Sequence, residues 1–210
     1  MELVLTIVSV IIALFALWQT HKQIKLSNKH QLFDRRVEKY LFIKKLCELY
    51  SGGISFLKED AVICTPDIAF AFLTNTDGLE EMCKAIDKPL NQPEQTLFLK
   101  KVEQMQSLAE EIQMIWQGEE ARVISEFVFN YSEVLMKLYQ QHLFMGHIEK
   151  INNQSPLTEN EAIKQLRHTA KETKLLETID KLNDLYTEIV TENMLAAIKK
   201  QTQLIKVTNK

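Results

Sequence analysis

The feature that most constrains this chain is an uninterrupted apolar run at its start. Between Glu2 and His21 there is no charged residue, and from Leu3 to Trp18 only two hydroxyl side chains interrupt the apolar ones. As a helix rising about 1.5 Å per residue, the run covers roughly 24 Å, somewhat less than the roughly 30 Å of a bilayer's hydrocarbon core. A soluble helix normally carries a polar stripe, which this run lacks. We therefore predict a transmembrane helix over residues 1–20.

The residues that flank this run predict its fate and its orientation. A cleaved signal peptide has a basic start and a small-residue cleavage site, whereas this start is acidic and the run ends in Trp-Gln-Thr-His-Lys. Basic residues lie only on the far side, at Lys22, Lys25, Lys29, Arg35, Arg36, Lys39, Lys44 and Lys45. The positive-inside rule then predicts an inner (plasma) membrane protein with its N-terminus outside and its remaining chain in the cytoplasm.

Charge is distributed unevenly along the chain. Residues 21–50 hold eight Lys or Arg against three acids, whereas residues 51–162 hold eight against eighteen. A basic residue near an anionic membrane surface can contribute about 1 kcal/mol to binding, so we predict contact with membrane lipids by Lys22, Lys25, Lys29, Arg35 and Arg36. The alternative is that these charges only set the topology. The formal net charge of −3 argues against nucleic acid as a partner.

The chain beyond the apolar run is predicted to be all-α. Its 5 Gly and 4 Pro in 210 residues leave few turn formers, which favours long helices. Residues 21–52 form a basic amphipathic juxtamembrane helix, with Leu41 widening its apolar face, and this helix stops at Gly52-Gly53. Nothing before the glycines breaks a helix, so the span and this stem are compatible with one continuous rod. Residues 53–210 are predicted to form a cytoplasmic helical bundle.

Further helix signals lie within the bundle. Thr65-Pro66 reads as a helix start, a linker is predicted near 152–158, and Thr158-Glu159-Asn160-Glu161 reads as a capping box. The last helix is predicted to run from there to about Lys206. Its apolar positions recur at spacings of four and three and form a packing seam of Leu175, Ile179, Leu182, Tyr186 and Ile189. Such a seam suits a bundle or a coiled coil, and packing within the monomer and pairing between chains both remain open.

No catalytic, cofactor-binding or metal-binding residue is predicted. The glycines form no phosphate-binding loop, and no zinc-protease or nucleophile-elbow motif occurs. The three cysteines lack metal-ligand spacing and suit a reduced cytosolic domain. His142 and His147 diverge on a helix, and the glutamates near residues 110–133 lack the Glu-x-x-His pairs of bundle metal sites.

Residues 32–43, LFDRRVEKYLFI, carry a resemblance. A single N-terminal span followed by a basic helix with Leu-Phe-Asp-Arg-Arg-Val-x-x-Tyr resembles an arrangement found among uncharacterised bacterial inner-membrane proteins, some of them near mobile or defence loci. The resemblance covers residues 1–50 only. It implies a bacterial single-pass protein and brings no catalytic residues with it.

These observations support two functional hypotheses. The first is a membrane-tethered cytoplasmic interaction or regulatory protein without catalytic activity, whose bundle binds a protein partner or a second copy. The second is a membrane-perturbing effector, for example in phage defence, gated by oligomerisation of the cytoplasmic domain. An enzyme of unfamiliar type is a third class, for which the sequence offers no candidate residues.

Overall fold

The computed structural model describes residues 2–86 and 93–203, with the side chains of residues 2–5 and 8 outside that description. Within those ranges the protein is all-α, without strands. Its α-helices are α1 (Glu2–Gly53), α2 (Glu59–Cys64), α3 (Pro66–Thr74), α4 (Glu80–Cys83), α5 (Pro93–Ile115), α6 (Glu119–Asn152), α7 (Glu159–Glu172), α8 (Leu175–Thr191) and α9 (Met194–Gln203), with a short 3-10 turn at Ile54–Leu57.

Helix α1 is a single rod of 52 residues, about 78 Å long at the rise of an α-helix. It ends at Gly53, as the glycine pair predicts. Its second half belongs to the bundle, because Ile43, Leu46 and Tyr50 are fully buried and this half contacts α3, α5, α6 and α9. The described side chains of residues 6–28 in the first half are all exposed.

Helix α6 is the centre of the bundle, with α3, α5, α7, α8 and α9 packed around it. Its buried aromatic side chains meet those of α1 and α8. Phe127 lies edge-on to Tyr50 at 6.0 Å between ring centroids, and Tyr131 donates a hydrogen bond of 2.7 Å to the Leu73 carbonyl of α3. This bond lets a buried hydroxyl keep a partner and fixes α3 against the core.

The turn between α5 and α6 depends on Gly118. Its φ of 94° lies in the left-handed region that glycine adopts without a Cβ penalty. A Cβ at this position would also come within 2.5 Å of the Glu120 carboxylate. Trp116, just before the turn, is buried and donates to the Thr202 hydroxyl of α9 at 3.2 Å, so the end of α5 and the end of α9 lie together.

The prediction of one long C-terminal helix was wrong, because three helices occupy this region. The breaks fall at Lys174 and Asn193, whose φ values of 56° and 52° are left-handed. Asn tolerates this conformation better than most residues, and the apolar register already lapses through residues 169–174. The predicted end near Lys206 lies outside the described residues.

The predicted seam lies on α8 and faces the inside of the monomer. Leu175, Leu182 and Ile189 are at most 1% exposed, and α8 packs mainly on α6. Ile179 is also buried, and the half-buried Tyr186 ring lies 4.9 Å from the Tyr50 ring of α1. The breaks turn the polar residues between helices outward and let each short helix bury its own apolar stripe.

Two local predictions are confirmed. Helix α3 begins with Pro66 in its first turn. At the start of α7 the Thr158 hydroxyl accepts from the Glu161 backbone N–H, and the Glu161 carboxylate accepts from the Thr158 backbone N–H. The Glu161 carboxylate accepts from both the backbone N–H and the hydroxyl of Thr158, and these bonds lower the pKa of Glu161, with the backbone bond as the larger cause. The preceding turn at residues 153–157 falls where the linker is predicted.

Candidate functional site

The first half of α1 presents its apolar side chains to the surroundings. The large ones are each 52–66% exposed, namely Ile7, Val10, Ile11, Ile12, Leu14, Phe15, Leu17 and Trp18. Neighbours on the same helix cover the remainder, as in any single helix, and the ring contacts of Trp18 with Phe15 and with Lys22 are local to this helix. The described residues of this half therefore form a helix on which no other element packs.

The exposed apolar surface runs all the way round this helix. Val10, Ile11 and Ile12 follow one another at about 100° steps, so they point in three different directions, and all three are more than half exposed. A helix that is apolar on every side is typical of a surrounding apolar medium rather than of a surface helix.

A helix that spans a bilayer must be long and apolar enough to cross the hydrocarbon core. Over the residues whose side chains are described, no helix contains a stretch long and apolar enough to cross a membrane. The predicted span at residues 1–20 includes Met1, residues 2–5 and Val8, whose side chains lie outside the described part of the chain.

The five predicted membrane-surface cations spread along about 21 Å of α1, from Lys22 to Arg36. Lys22, Lys25 and Arg35 are exposed, whereas Lys29 and Arg36 are half-buried. The Lys22 ammonium lies 5.4 Å from the Trp18 ring centroid, within cation–π range. Arg36 instead donates to the Gln201 carbonyl of α9 at 3.2 Å, and burial lowers its pKa. Arg36 therefore marks the point where α1 enters the bundle.

Sequence reasoning missed a large groove between α1 and α5, which we call the α1–α5 groove. Its volume is about 990 Å³, and it exists because α1 and α5 contact each other only sparsely. Its apolar floor consists of Leu41, Phe42, Leu79, Met105 and Leu108. Leu41 is 51% exposed, although the helical pattern placed it on the core-facing side.

The two walls of the α1–α5 groove run antiparallel. The Lys39 ammonium lies 3.4 Å from the Glu111 carboxylate, and the end of α5 meets α9 beside Arg36. One end of the groove, near Lys39, is therefore also the end nearest the exposed half of α1. The other end lies between residues 44–48 of α1 and the beginning of the α5 wall.

Charge differs between these two ends. The far end holds four lysines, of which Lys44 pairs with Glu48 at 3.4 Å and Lys45 with Asp77 at 3.5 Å. Lys100 and Lys101 have no acid within ion-pair distance among the described residues. Only Glu103 adds an uncompensated acid to this end. Both ion pairs are exposed, so they contribute little energy and leave the lysines available to a ligand.

A second, smaller concavity of about 460 Å³ lies on the outer face of the α5–α6 hairpin. Met114 and Phe129, which line it, are 82% and 44% exposed. Around them the Gln113 side chain donates to the Ser125 hydroxyl at 2.9 Å, and Arg122 pairs with Glu119 and Glu126. This surface combines two exposed flexible or aromatic side chains with a polar surround.

Cysteine and histidine side chains lie elsewhere in the described part of the chain. Burial, with the nearby Glu48 charge, raises the pKa of Cys47 to about 12, so this thiol stays protonated and unreactive. His142 contacts the Ile86 carbonyl at 2.7 Å, while His147 is exposed. Among the described residues, no three His, Cys, Asp or Glu side chains are grouped as metal ligands.

Comparison with protein families, curated proteins and solved structures gives no match to this chain.

Proposed function

We propose that the protein is a membrane-tethered cytoplasmic interaction or regulatory protein without catalytic activity. The first half of α1 serves as a single span in the inner (plasma) membrane with its N-terminus outside. The bundle from about residue 33 onward binds a protein partner. The observation that carries the proposal is the apolar surface formed by the described side chains from Ile7 to Trp18, which is exposed on every side of the helix.

Leaving this surface in water would be costly. Burying a Val, Leu, Ile or Phe side chain stabilises by about 1.5–3 kcal/mol, so eight half-exposed side chains favour an apolar environment by on the order of 10 kcal/mol. A bilayer covers every side of the helix at once, which a single protein surface does not. The run from Leu3 to Trp18 is short for a span, and local thinning of the bilayer or interfacial placement of Trp18 accommodates such a mismatch.

The stem between Trp18 and the bundle separates the bundle from the membrane. From Trp18 to Phe33 the helix rises about 22 Å, and the side chains between them are almost all exposed. The basic residues of this stem lie on the side predicted to stay cytoplasmic. The bundle would therefore stand clear of the lipid headgroups, with its surfaces open to a partner.

The hairpin surface around Met114 and Phe129 supports the interaction part of the proposal. An exposed Met is adaptable in shape and is common on protein-binding surfaces. Cross-linking of the full chain in membranes should capture a specific protein, and Met114→Asp with Phe129→Asp should lose it. Val190→Asp, at another exposed apolar position, is the matched control. Capture that is unchanged by the hairpin variants would exclude this surface.

Topology provides the sharpest test of the tether. Replacing Lys22, Lys25, Lys29 and Arg35 by Gln, with a Lys added beside Glu2, should invert or scramble the orientation, because the basic flank holds its side in the cytoplasm. Arg36 is kept because it binds α9. The readout is a compartment-sensitive reporter fused after Lys210. A reporter that stays fully cytoplasmic in this variant would contradict the proposal that charge orients a span.

A further inference from the structure

We propose that the α1–α5 groove binds a single-chain anionic amphiphile, with the apolar chain along its floor and the anionic head at the far end beside Lys100 and Lys101. This site is separate from the proposed span and from the hairpin surface.

The floor offers a continuous apolar path. Met105 and Leu108 of α5 lie at 3% and 8% exposure beneath the groove, and Leu41 of α1 is half exposed at its side. The lysines and glutamates of the walls add their aliphatic stems to this path and keep their charged ends in water. An apolar chain lying here would cover Leu41, which no element of the described protein covers.

The polar ends decide the direction of the ligand. Lys44, Lys45, Lys100 and Lys101 surround the far end, and the last two lack acidic partners among the described residues. At the opposite end Glu38 and Glu111 share the single cation Lys39. An anionic head is therefore attracted to the far end and repelled from the near one.

The dimensions of the groove suit a single-chain amphiphile. The walls run about ten residues, or roughly 15 Å. With carbon–carbon bonds of about 1.5 Å, an extended chain of about twelve carbons has this length. The volume of about 990 Å³ lies at the upper end of the range for small-ligand sites.

Close packing fixes one side of the site. Phe42 lines the groove and packs against Gly78. An added Cβ at Gly78 would lie 3.2 Å from the Phe42 ring. Gly78→Ala should therefore displace the ring within the groove and alter ligand binding without adding or removing any charge.

The test uses the full chain in cell membranes and a dodecanoic acid probe that carries a photoreactive diazirine and an alkyne. We expect cross-links within residues 38–48 and 100–111, mapped by mass spectrometry and competed by unlabelled dodecanoate. The double variant Lys100→Gln/Lys101→Gln should label about tenfold less, as expected when an anion loses its charged partners. Leu41→Asp should label less still, because it places a charge beside the chain.

Matched controls separate binding from general effects. Lys199→Gln/Lys200→Gln removes another lysine pair, and Leu99→Asp changes an exposed α5 leucine outside the groove; both should label like the parent chain. The circular dichroism spectrum and melting temperature of each variant report whether it folds. Gly78→Ala supplies a charge-neutral variant should either substitution in the groove unfold the domain.

The source of the amphiphile is resolved by two further probes. A lysophosphatidic acid of the same chain length, which is also anionic, identifies a lipid source if it labels the groove, and labelling by the free acid alone identifies a free fatty acid; both support the proposal. A dodecanol probe that labels as well as the acid overturns it. Labelling confined to residues 1–20, or equal in the parent and groove variants, also overturns it, and neither result bears on the topology test of the span.

Discussion

Both halves of α1 carry many apolar residues, but the environments of these residues are opposite. Leu14 in the first half is 61% exposed, whereas Leu46 in the second half is fully buried. Nothing in the backbone distinguishes them, since one unbroken helix carries both. What differs is the neighbouring structure: α3, α5, α6 and α9 supply a core around the second half, whereas the described side chains of residues 6–28 are all exposed. The apolar side chains of the second half therefore stabilise the fold, whereas the described ones of the first half remain exposed and can enter a different apolar environment.

The comparison is sharpest with one substitution made in both halves. Leu46→Ala should destabilise the domain by about 2–5 kcal/mol, because it leaves a cavity in the core. Leu14→Ala should change the free energy of unfolding of the bundle by less than about 0.5 kcal/mol. Chemical denaturation followed by circular dichroism measures both. Equal losses in the two variants would mean that the first half packs on the bundle after all.

The buried second half of α1 also contacts α8, through the rings of Tyr50 and Tyr186. Leu182→Ala should cost about 2–5 kcal/mol, since this side chain is fully buried on α6. Lys181→Ala, one residue away and exposed, should cost little. Chemical denaturation measures the stability of each variant, and analytical ultracentrifugation measures its oligomeric state. A variant that keeps its stability but loses an oligomer would place the seam between chains.

A smaller loss of stability is expected at Arg36, where α1 enters the bundle. Arg36→Gln should destabilise the bundle by about 1 kcal/mol, because its hydrogen bond to the Gln201 carbonyl is lost. The adjacent Arg35→Gln should leave the melting temperature unchanged, since the Arg35 side chain is exposed. An equal effect of both variants would show that overall charge, and not the contact with α9, stabilises the junction.

Local signals in the sequence predicted the local structure well. The stop at Gly53, the start at Pro66 and the capping box at Thr158 each depend on a few adjacent residues whose backbone preferences act within one turn. The breaks at Lys174 and Asn193 contain neither Gly nor Pro, so no local stop signal in the sequence marks them. The lapse of the apolar register through residues 169–174 is a sequence feature that coincides with the first break.

The candidate sites differ in the same way. The apolar surface of residues 7–18 could be predicted from sequence because it depends on one helix. The α1–α5 groove could not, because it arises from the sparse contact between two helices about sixty residues apart in the chain. Leu41 illustrates this: its helical position matches the core pattern, yet α5 contacts α1 too sparsely to cover it.

The most direct test of the account compares the full chain with a variant lacking residues 1–20. The full chain should sediment with membranes and resist alkaline carbonate extraction, because the proposed function places the first half of α1 in the bilayer. The shortened chain should move to the supernatant and keep its helical circular dichroism and melting temperature, because the core draws only on the second half of α1. A full chain released by carbonate, or a shortened chain that aggregates or loses its cooperative melting, would contradict the account.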